Sequence, residues 1–505
     1  MIRGIIMVVA AIDAGTTGVR CMIVDAKGRS PGIARTSWDY ITPPDLEIAK
    51  EFNPSDFWKL VCTVIKSAIK NSGIKKSDLN AVATTSQRHG LVLLDSNGNE
   101  LHGCPNIDAR GAMTQYLIDE SLGEAYHEIT GCWPPMMFAP SRLGWFEEEK
   151  PEIYEKITHL LPICDWISFR LSEIYATDTS SASATGLLDV RTNEWSEDVL
   201  SALNIDPAIL PEIRKVGEVI GEVTSTAEKE CGLPKGLPVV QGGADTHCAL
   251  LASQSQVGEI TVIAGSTTPV MMVIDSPICV SDQKIWTGAH IIEGQWALES
   301  NATLTGAVLE WVIRLLCERS QNPVKCVRKT FDKLDEIVKG IPPGSDETFV
   351  SLGPSVMDCQ QITDVKLASM IFPQPALPQV IPLNSSRMIH AVLENIAFAM
   401  RGNVEQLEKY GQSTGVKTVG GMCQSKTWPQ LLANVLNRPI KTPIQVEGSL
   451  LGAAICACVG AGYYSSLDDA SNAMVRWKQV FRPDDRAAQY DRYYSRWNEI
   501  TGQGD

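Results

Sequence analysis

The chain has 505 residues, more than one hydrophobic core usually organises, so two domains are expected. With 44% hydrophobic and 20% charged residues, its composition is that of an ordinary globular protein. A net charge of −15 argues against nucleic acid or an anionic membrane as partner, since both need a basic surface. It also means that a bound polyphosphate has to be held by backbone amides, hydroxyls and a metal ion rather than by a basic patch.

In chain order, the apolar run Gly4 to Ile12 leads directly into Asp13 and a Gly-Thr-Thr turn, with no small-residue cleavage site. It reads as a first buried strand rather than a secretion signal. The turn Asp13-Ala14-Gly15-Thr16-Thr17-Gly18 has the chemistry of a phosphate loop. Glycine permits close backbone approach, amides and hydroxyls donate, and a carboxylate could hold Mg²⁺. A plain hairpin turn explains the same residues equally well. The Gly-Lys-Ser/Thr ending of a P-loop is missing. Phe57 to Asn71 has helical apolar spacing, and Ala81 to Thr85 reads as a strand.

The run Leu237 to Val240 ends in Gly242-Gly243-Ala244-Asp245-Thr246-His247. A carboxylate at the end of a buried strand lies where α/β folds place ligands, and phosphoryl transfer to an alcohol needs one beside the attacking oxygen. The alternative is an Asp that caps the following helix. Past a domain boundary expected near Leu250 to Gly258, Ala264-Gly265-Ser266-Thr267 through Asp275 repeats Ala14 through Asp25. The identities at Ala14, Gly15, Thr17, Met22 and Asp25 share one offset of 250 residues. Both copies read as strand-turn-strand hairpins, which suggests two similar domains of alternating strands and helices.

Ser386 to Tyr410 is expected to be a long amphipathic helix, preceded by the Pro-rich, non-helical stretch Phe372 to Pro382. Val419-Gly420-Gly421-Met422-Cys423-Gln424-Ser425 precedes a helix around Trp428 to Leu436. Paired glycines there could admit a flat base or a phosphate, or simply make a tight turn. Leu450 to Tyr464, rich in Gly and Ala, is too short for the ~20 residues a spanning helix needs and reads as a packed internal helix. Fourteen cysteines occur without a CxxC pair or other ligand spacing, so free thiols in a reducing cytoplasm are expected.

These segments together resemble the FGGY carbohydrate kinase family. The pieces that carry the resemblance, in family order, are AIDAGTTGVR, EFNPSDFW, TSQRHG, NIDAR, TDTSSASATGLLDV, GGADTH, AGSTTP, TGAVLEW, VGGMCQSKTWPQLLANVLNRP and LLGAAICACVGAGYYSS. The resemblance implies an α/β fold of two actin-like, ribonuclease-H-like ATPase domains, 1–252 and 253–505, facing a central cleft. It also implies an ATP- and Mg²⁺-dependent kinase acting on a small sugar or polyol, with homodimerisation open and no nucleic-acid or membrane partner. By the same resemblance Asp245 is the catalytic base and Asp13 the metal-side carboxylate. Gly15, Thr16, Thr17, Arg20, Gly265, Ser266, Thr267, Gly306, Glu310, Gly420, Gly421 and Ser425 are nucleotide contacts. Gln87, Arg88, His89, Asn106, Asp108 and Thr246 are candidate sugar contacts. At 87–90 and at Thr246 the chain mixes features of different family branches. A xylulose-like ketose or an autoinducer-2-like hydroxyketone is the favoured acceptor. Glycerol is the alternative, and an actin-like ATP-binding regulator without phosphotransfer is a second reading.

Overall fold

The structure, a computed structural model, describes residues 7–279, 282, 284–361, 367–374 and 383–502. The apolar N-terminal run forms a strand from Val8, its residues 4–6 lying outside the described ones. Residues 375–382 of the Pro-rich stretch also lie outside them.

The described chain gathers into two compact units. One comprises Met1–Gln254, Ile274–Ala297 and Glu447–Arg476; the other comprises Ser255–Val273, Leu298–Val446 and Trp477–Asp505. The units are therefore not uninterrupted halves of the sequence. The glycine- and alanine-rich helix Gly448–Gly460, distant in sequence, belongs to the first unit.

In the first unit the main-sheet strands are β1 (Val8–Gly15), β2 (Gly18–Asp25), β3 (Gly32–Ser37), β4 (Ala81–Ser86), β5 (Val219–Glu222) and β6 (Pro238–Val240). They form one sheet in the order β5-β6-β4-β1-β2-β3. The β1–β2–β3 ladder is antiparallel, β1, β4 and β6 run parallel, and β5 is antiparallel again. β1, β4 and β6 are covered on both faces, which is why they read as unbroken apolar runs rather than alternating ones. The helix Pro54–Ser72 is capped by Asn53, whose side chain accepts from Asp56 N, and ends at Gly73 in the left-handed conformation. The helix Gly448–Gly460 packs on β1, β4 and the short helix Asp245–Leu251. A side-chain carbon on Gly452 would stand 2.1 Å from Cys248 O, so the absence of one sets the closeness of these two helices.

The second unit repeats the plan. Six strands, β7 (Glu259–Ile263), β8 (Thr267–Ile274), β9 (Trp296–Leu304), β10 (Gly415–Val419), β11 (Ile440–Pro443) and β12 (Trp477–Phe481), lie in the order β9-β8-β7-β10-β11-β12 within a seven-stranded sheet. β7 pairs antiparallel with β8 and parallel with β10, and β10, β11 and β12 continue as parallel then antiparallel. The two hairpins suspected from the 250-residue offset thus hold the same place in two sheets that share one order over six strands. The long helix Ser385–Glu408 buries its apolar stripe in this unit. Among the described residues no helix is long and apolar enough to cross a membrane.

The expectation of fourteen free thiols is corrected. Cys317, ending the helix Gly306–Cys317, is disulfide-bonded to Cys326 in the helix Pro323–Asp332, with Cα atoms 5.8 Å apart. A helix-turn-helix brings these two sulfurs together, and a spacing of nine residues carries no recognisable motif. The other twelve cysteines form no disulfide, and all but Cys279 are buried.

Candidate functional site

In the first unit, β1 and β6 flank β4; Asp13 lies near the carboxyl end of β1, and Asp245 follows β6 after a four-residue turn. Asp13 is wholly buried. Its Oδ2 accepts from Arg20 Nη2 at 2.5 Å and from Ser449 Oγ at 2.7 Å, while Oδ1 is buried without a protein partner. Arg20, on the neighbouring strand, also donates to Glu447 Oε2 at 2.6 Å. The Asp13 charge, then Glu447 and Asp245, hold the Arg20 guanidinium above its ordinary value against the opposing effect of burial.

Asp245 opens the helix Asp245–Leu251, and the N-cap position belongs to Ala244, so the helix-capping alternative is not what the backbone shows. The only hydrogen bond to the carboxylate from its own helix is Thr246 N to Oδ1 at 2.7 Å. Burial and the negative charge of Asp13 push its carboxyl up to about 7, against the opposing charges of Arg88 and Arg20. A carboxyl poised near neutrality can accept a proton at physiological pH and release it again.

The turn preceding Asp245 is tightly constrained. A side-chain carbon on Gly242 would meet Thr84 O at 1.9 Å, and one on Gly243 would meet Ile291 Cγ2 at 2.5 Å. Thr85 Oγ1 donates to Gly243 O at 2.6 Å. Beneath it lies a buried polar group. Asp165 accepts from Thr177 Oγ1 and Gln241 Nε2, and burial with the nearby Asp178 charge pushes its carboxyl up to about 8.

The sugar-side candidates converge on the same end of the sheet. Thr16 O accepts from Tyr40 Oη at 2.6 Å, and Thr16 Oγ1 accepts from Asn106 Nδ2 at 2.9 Å. Gln87 Oε1 accepts from Asn106 N at 3.0 Å. Asn106 Oδ1 and Thr246 Oγ1 are buried without protein partners. Thr17 is exposed at the tip of the turn. His89 has φ of 65° and brings its Nδ1 within 2.8 Å of Ala184 O. Because a carbonyl only accepts, that nitrogen carries the proton. Burial, then the Arg88 charge, pushes the imidazole down to about 3, so His89 is neutral with Nε2 as acceptor. Its ring meets Phe138 and Trp286 edge-on, and the Arg88 guanidinium lies 6.0 Å from the Trp286 ring centre.

Asp108 differs from its sequence expectation. Its side chain has no exposed surface: Oδ2 accepts from Arg110 Nε at 2.8 Å and Oδ1 from Lys50 N at 3.1 Å. Its own carbonyl accepts from Arg142. Internal partners claim the carboxylate, which braces the loop carrying Asn106 instead of presenting itself to a ligand. The Asn-x-Asp-Ala-Arg segment contains Arg110, but Lys50, which takes the other carboxylate oxygen, is remote in sequence and no local pattern discloses it.

In the second unit, two turns lock together. Gly306 N and Thr305 Oγ1 donate to Gly265 O, and Thr305 N and Ala307 N donate to Ser266 O. A side-chain carbon on Gly306 would stand 2.4 Å from Gly265 O. Ser266 and Thr267 remain exposed. Ala264 O accepts from Met422 N, and Gly420, with φ of 107°, would place a side-chain carbon 2.4 Å from the same oxygen. Gly421 has open space where its side chain would be. Glu310 pairs with Arg314 one turn along its helix.

Ser425 Oγ donates to Asp335 Oδ1 at 2.6 Å and accepts from Trp428 N, while Lys426 N and Thr427 N also donate to Asp335. Asp335 thus caps the helix Thr427–Leu436 from outside. Although partial burial opposes it, these hydrogen bonds lower the Asp335 carboxyl. Sequence reasoning missed Asp335, Glu447 and Ser449, since no local pattern ties them to the turns they serve.

Two units whose sheets share one order over six strands, the first carrying carboxylates near the ends of two parallel strands and the second carrying apposed glycine turns, define a two-domain actin-like kinase fold. The model of the FGGY family of carbohydrate kinases, N-terminal domain, matches residues 8–252, and that of its C-terminal domain matches 260–461. The chain belongs to the FGGY family of carbohydrate kinases. It is 29% identical over 498 residues to an autoinducer-2 kinase from Yersinia enterocolitica, covering 97% of this chain and 93% of that protein. Its fold is similar to xylulose kinase from Rhodospirillum rubrum, with TM-score 0.81, 23% identity and 98% of each chain covered. It is also similar to Plasmodium falciparum glycerol kinase with ADP, with TM-score 0.82, 19% identity, and 99% and 98% of the chains covered.

Proposed function

We propose that this sugar kinase transfers the terminal phosphoryl group of ATP to a hydroxyl of a small ketose or hydroxyketone, with Asp245 as the base. The observation that carries the reading is the placement of Asp245, delivered after parallel strand β6 by the tightly packed Gly242-Gly243 turn at the start of a helix, where burial and the Asp13 charge also raise its carboxyl to about 7. Ionised Asp245 accepts the hydrogen bond of the attacking hydroxyl and takes its proton as the new O–P bond forms. Gly15, Thr16, Thr17 and Arg20 are the proposed phosphate contacts, and Gly265, Ser266, Thr267, Gly306, Glu310, Gly420, Gly421 and Ser425 are proposed nucleotide contacts.

Asp13 fits a hard divalent cation such as Mg²⁺, because its Oδ1 is an anionic oxygen buried with an unused lone pair. Bound there, the cation would offset phosphate charge; Arg20 and Ser449 hold the carboxylate for it through Oδ2. Asn106 Oδ1 and Thr246 Oγ1, also buried without protein partners, are the hydrogen-bonding capacity reserved for the sugar, with Gln87, Arg88 and neutral His89 beside them. A site of this kind discriminates strongly between acceptors that do and do not fill its hydrogen bonds.

The likeness to autoinducer-2 kinase along almost the whole chain supports a ketose or hydroxyketone over glycerol. Release of ADP should be followed with D-xylulose, autoinducer-2, D-gluconate and glycerol, with and without chelator. The reading expects acceptor-dependent, Mg²⁺-dependent ADP release that is strongest with D-xylulose or autoinducer-2. ADP release indifferent to every acceptor would overturn it, and ATP affinity indifferent to chelator would remove Asp13 from its role.

A further inference from the structure

The segment Thr177-Asp178-Thr179-Ser180-Ser181 lies directly beneath the turn that delivers Asp245, and no step above uses it. Asp178 is completely buried. Its Oδ2 accepts from Ser180 Oγ at 2.6 Å and Ser180 N at 2.8 Å, and its Oδ1 accepts from Ser181 N at 3.2 Å. Ser180 is itself only 1% exposed, and its Oγ accepts in turn from Ala244 N at 3.0 Å. The direction of this chain is forced. A backbone amide can only donate, so the serine oxygen uses a lone pair toward Ala244 and sends its one hydrogen to the carboxylate.

The anchored residue is the one immediately before Asp245. The turn is clamped from the opposite side by Thr85 Oγ1 on Gly243 O. A side-chain carbon on Gly243 would lie 3.1 Å from Ser180 Oγ and 3.4 Å from Asp178 Oδ2, so backbone and serine are in close contact. The Asp178 side chain also caps its own helix Thr179–Ser183, which ties the serine's position to the rest of the unit.

We propose that Asp178 and Ser180 are positioning residues for phosphoryl transfer. They fix the Ala244 amide and so hold the Asp245 carboxylate at the distance and angle that the acceptor hydroxyl requires. The proposal rests on the reading of Asp245 as base. Small displacements of a reacting group cost large factors in rate, whereas nucleotide binding by other loops is indifferent to them.

The test compares Ser180→Ala, Ser180→Thr, Asp178→Asn and Asp245→Asn, using whichever of D-xylulose, autoinducer-2 or D-gluconate gives the highest kcat/KM. For each variant kcat, both KM values, the pH dependence of kcat/KM and Tm are measured. Ser180→Ala should lose about 10-fold or more in kcat. Its KM for ATP should stay within about twofold, and its acid limb should move away from the wild-type position as Asp245 leaves its surroundings. Ser180→Thr, which keeps the hydroxyl, should recover most of the rate. Asp178→Asn supplies the same comparison if Ser180→Ala does not fold, with a smaller loss of about threefold in kcat. Ser180→Ala with wild-type kcat and an unmoved acid limb, while Asp245→Asn is inactive, would overturn the positioning role and leave the base assignment intact. An equal fall in all parameters that follows Tm alone would likewise reduce the pair to a structural element. An active Asp245→Asn would overturn the base assignment and this proposal with it.

Discussion

Replacing Asp245 by Asn separates catalysis from stability in opposite directions. In the folded protein the carboxyl is raised from an ordinary 3.8 to about 7, chiefly by burial. Each factor of ten in proton affinity corresponds to about 1.4 kcal/mol, so the ionised form is disfavoured by at most about 4 kcal/mol relative to the unfolded chain. Between these two pH values the folded state retains a proton that the unfolded state has released. Stability therefore declines as pH rises from about 4 to about 7 and is flat beyond, as far as this group is concerned.

Asn carries no such cost. At pH 8 the variant should be the more stable protein, with a melting temperature a few degrees above wild type, and at pH 4 the advantage should vanish. Turnover should fall by about 10²-fold or more, the usual worth of a positioned base. The wild-type kcat/KM should itself climb with pH and level off above about 7 as Asp245 ionises. Because His89 is held neutral by a value near 3, it adds no second limb in this range. The assay is calorimetry at several pH values beside acceptor-dependent ADP release on the same preparation. A variant that keeps its rate, or one destabilised equally at pH 4 and pH 8, would refute the account of Asp245.

Gly420→Ala should cost stability and nucleotide affinity together, since it faces both a φ of 107° and Ala264 O at 2.4 Å; Gly421→Ala meets open space and should leave the melting temperature unchanged. Asp335→Ala should weaken ATP binding several-fold without altering the acceptor KM, because it releases Ser425 and uncaps the following helix. The Asp335 contribution to stability should be present above the ordinary carboxylate range and fade as pH falls through its lowered value. Protein purified without reductant and then denatured should expose twelve reactive thiols, and fourteen after reduction. Fourteen without reduction would show that Cys317 and Cys326 are not bonded.

The elements of this protein were largely legible in its sequence because they rest on local rules. Helical apolar spacing and an Asn53 cap mark Pro54–Ser72. A Gly/Ala-rich apolar run marks the buried helix Gly448–Gly460, and the 250-residue echo of the glycine hairpin foretold two sheets of one plan. Asp13 and Asp245 stood out because a carboxylate at the end of an apolar strand is costly without a purpose. The roles of other residues depend on partners the chain supplies from far away. Asp13 meets Ser449 across 436 positions and Arg20 meets Glu447 across 427, so no window of sequence contains either pair. Asp108 finds Arg110 within its own motif, but Lys50 and Arg142 reach it from distant segments, and Ser425 acquires Asp335 from another segment. The near-neutral carboxyl of Asp245 is likewise a tertiary property. Residue type supplies the acid, but burial and the charges of Asp13, Arg88 and Arg20, gathered by the sheet and its turns, decide when it holds its proton.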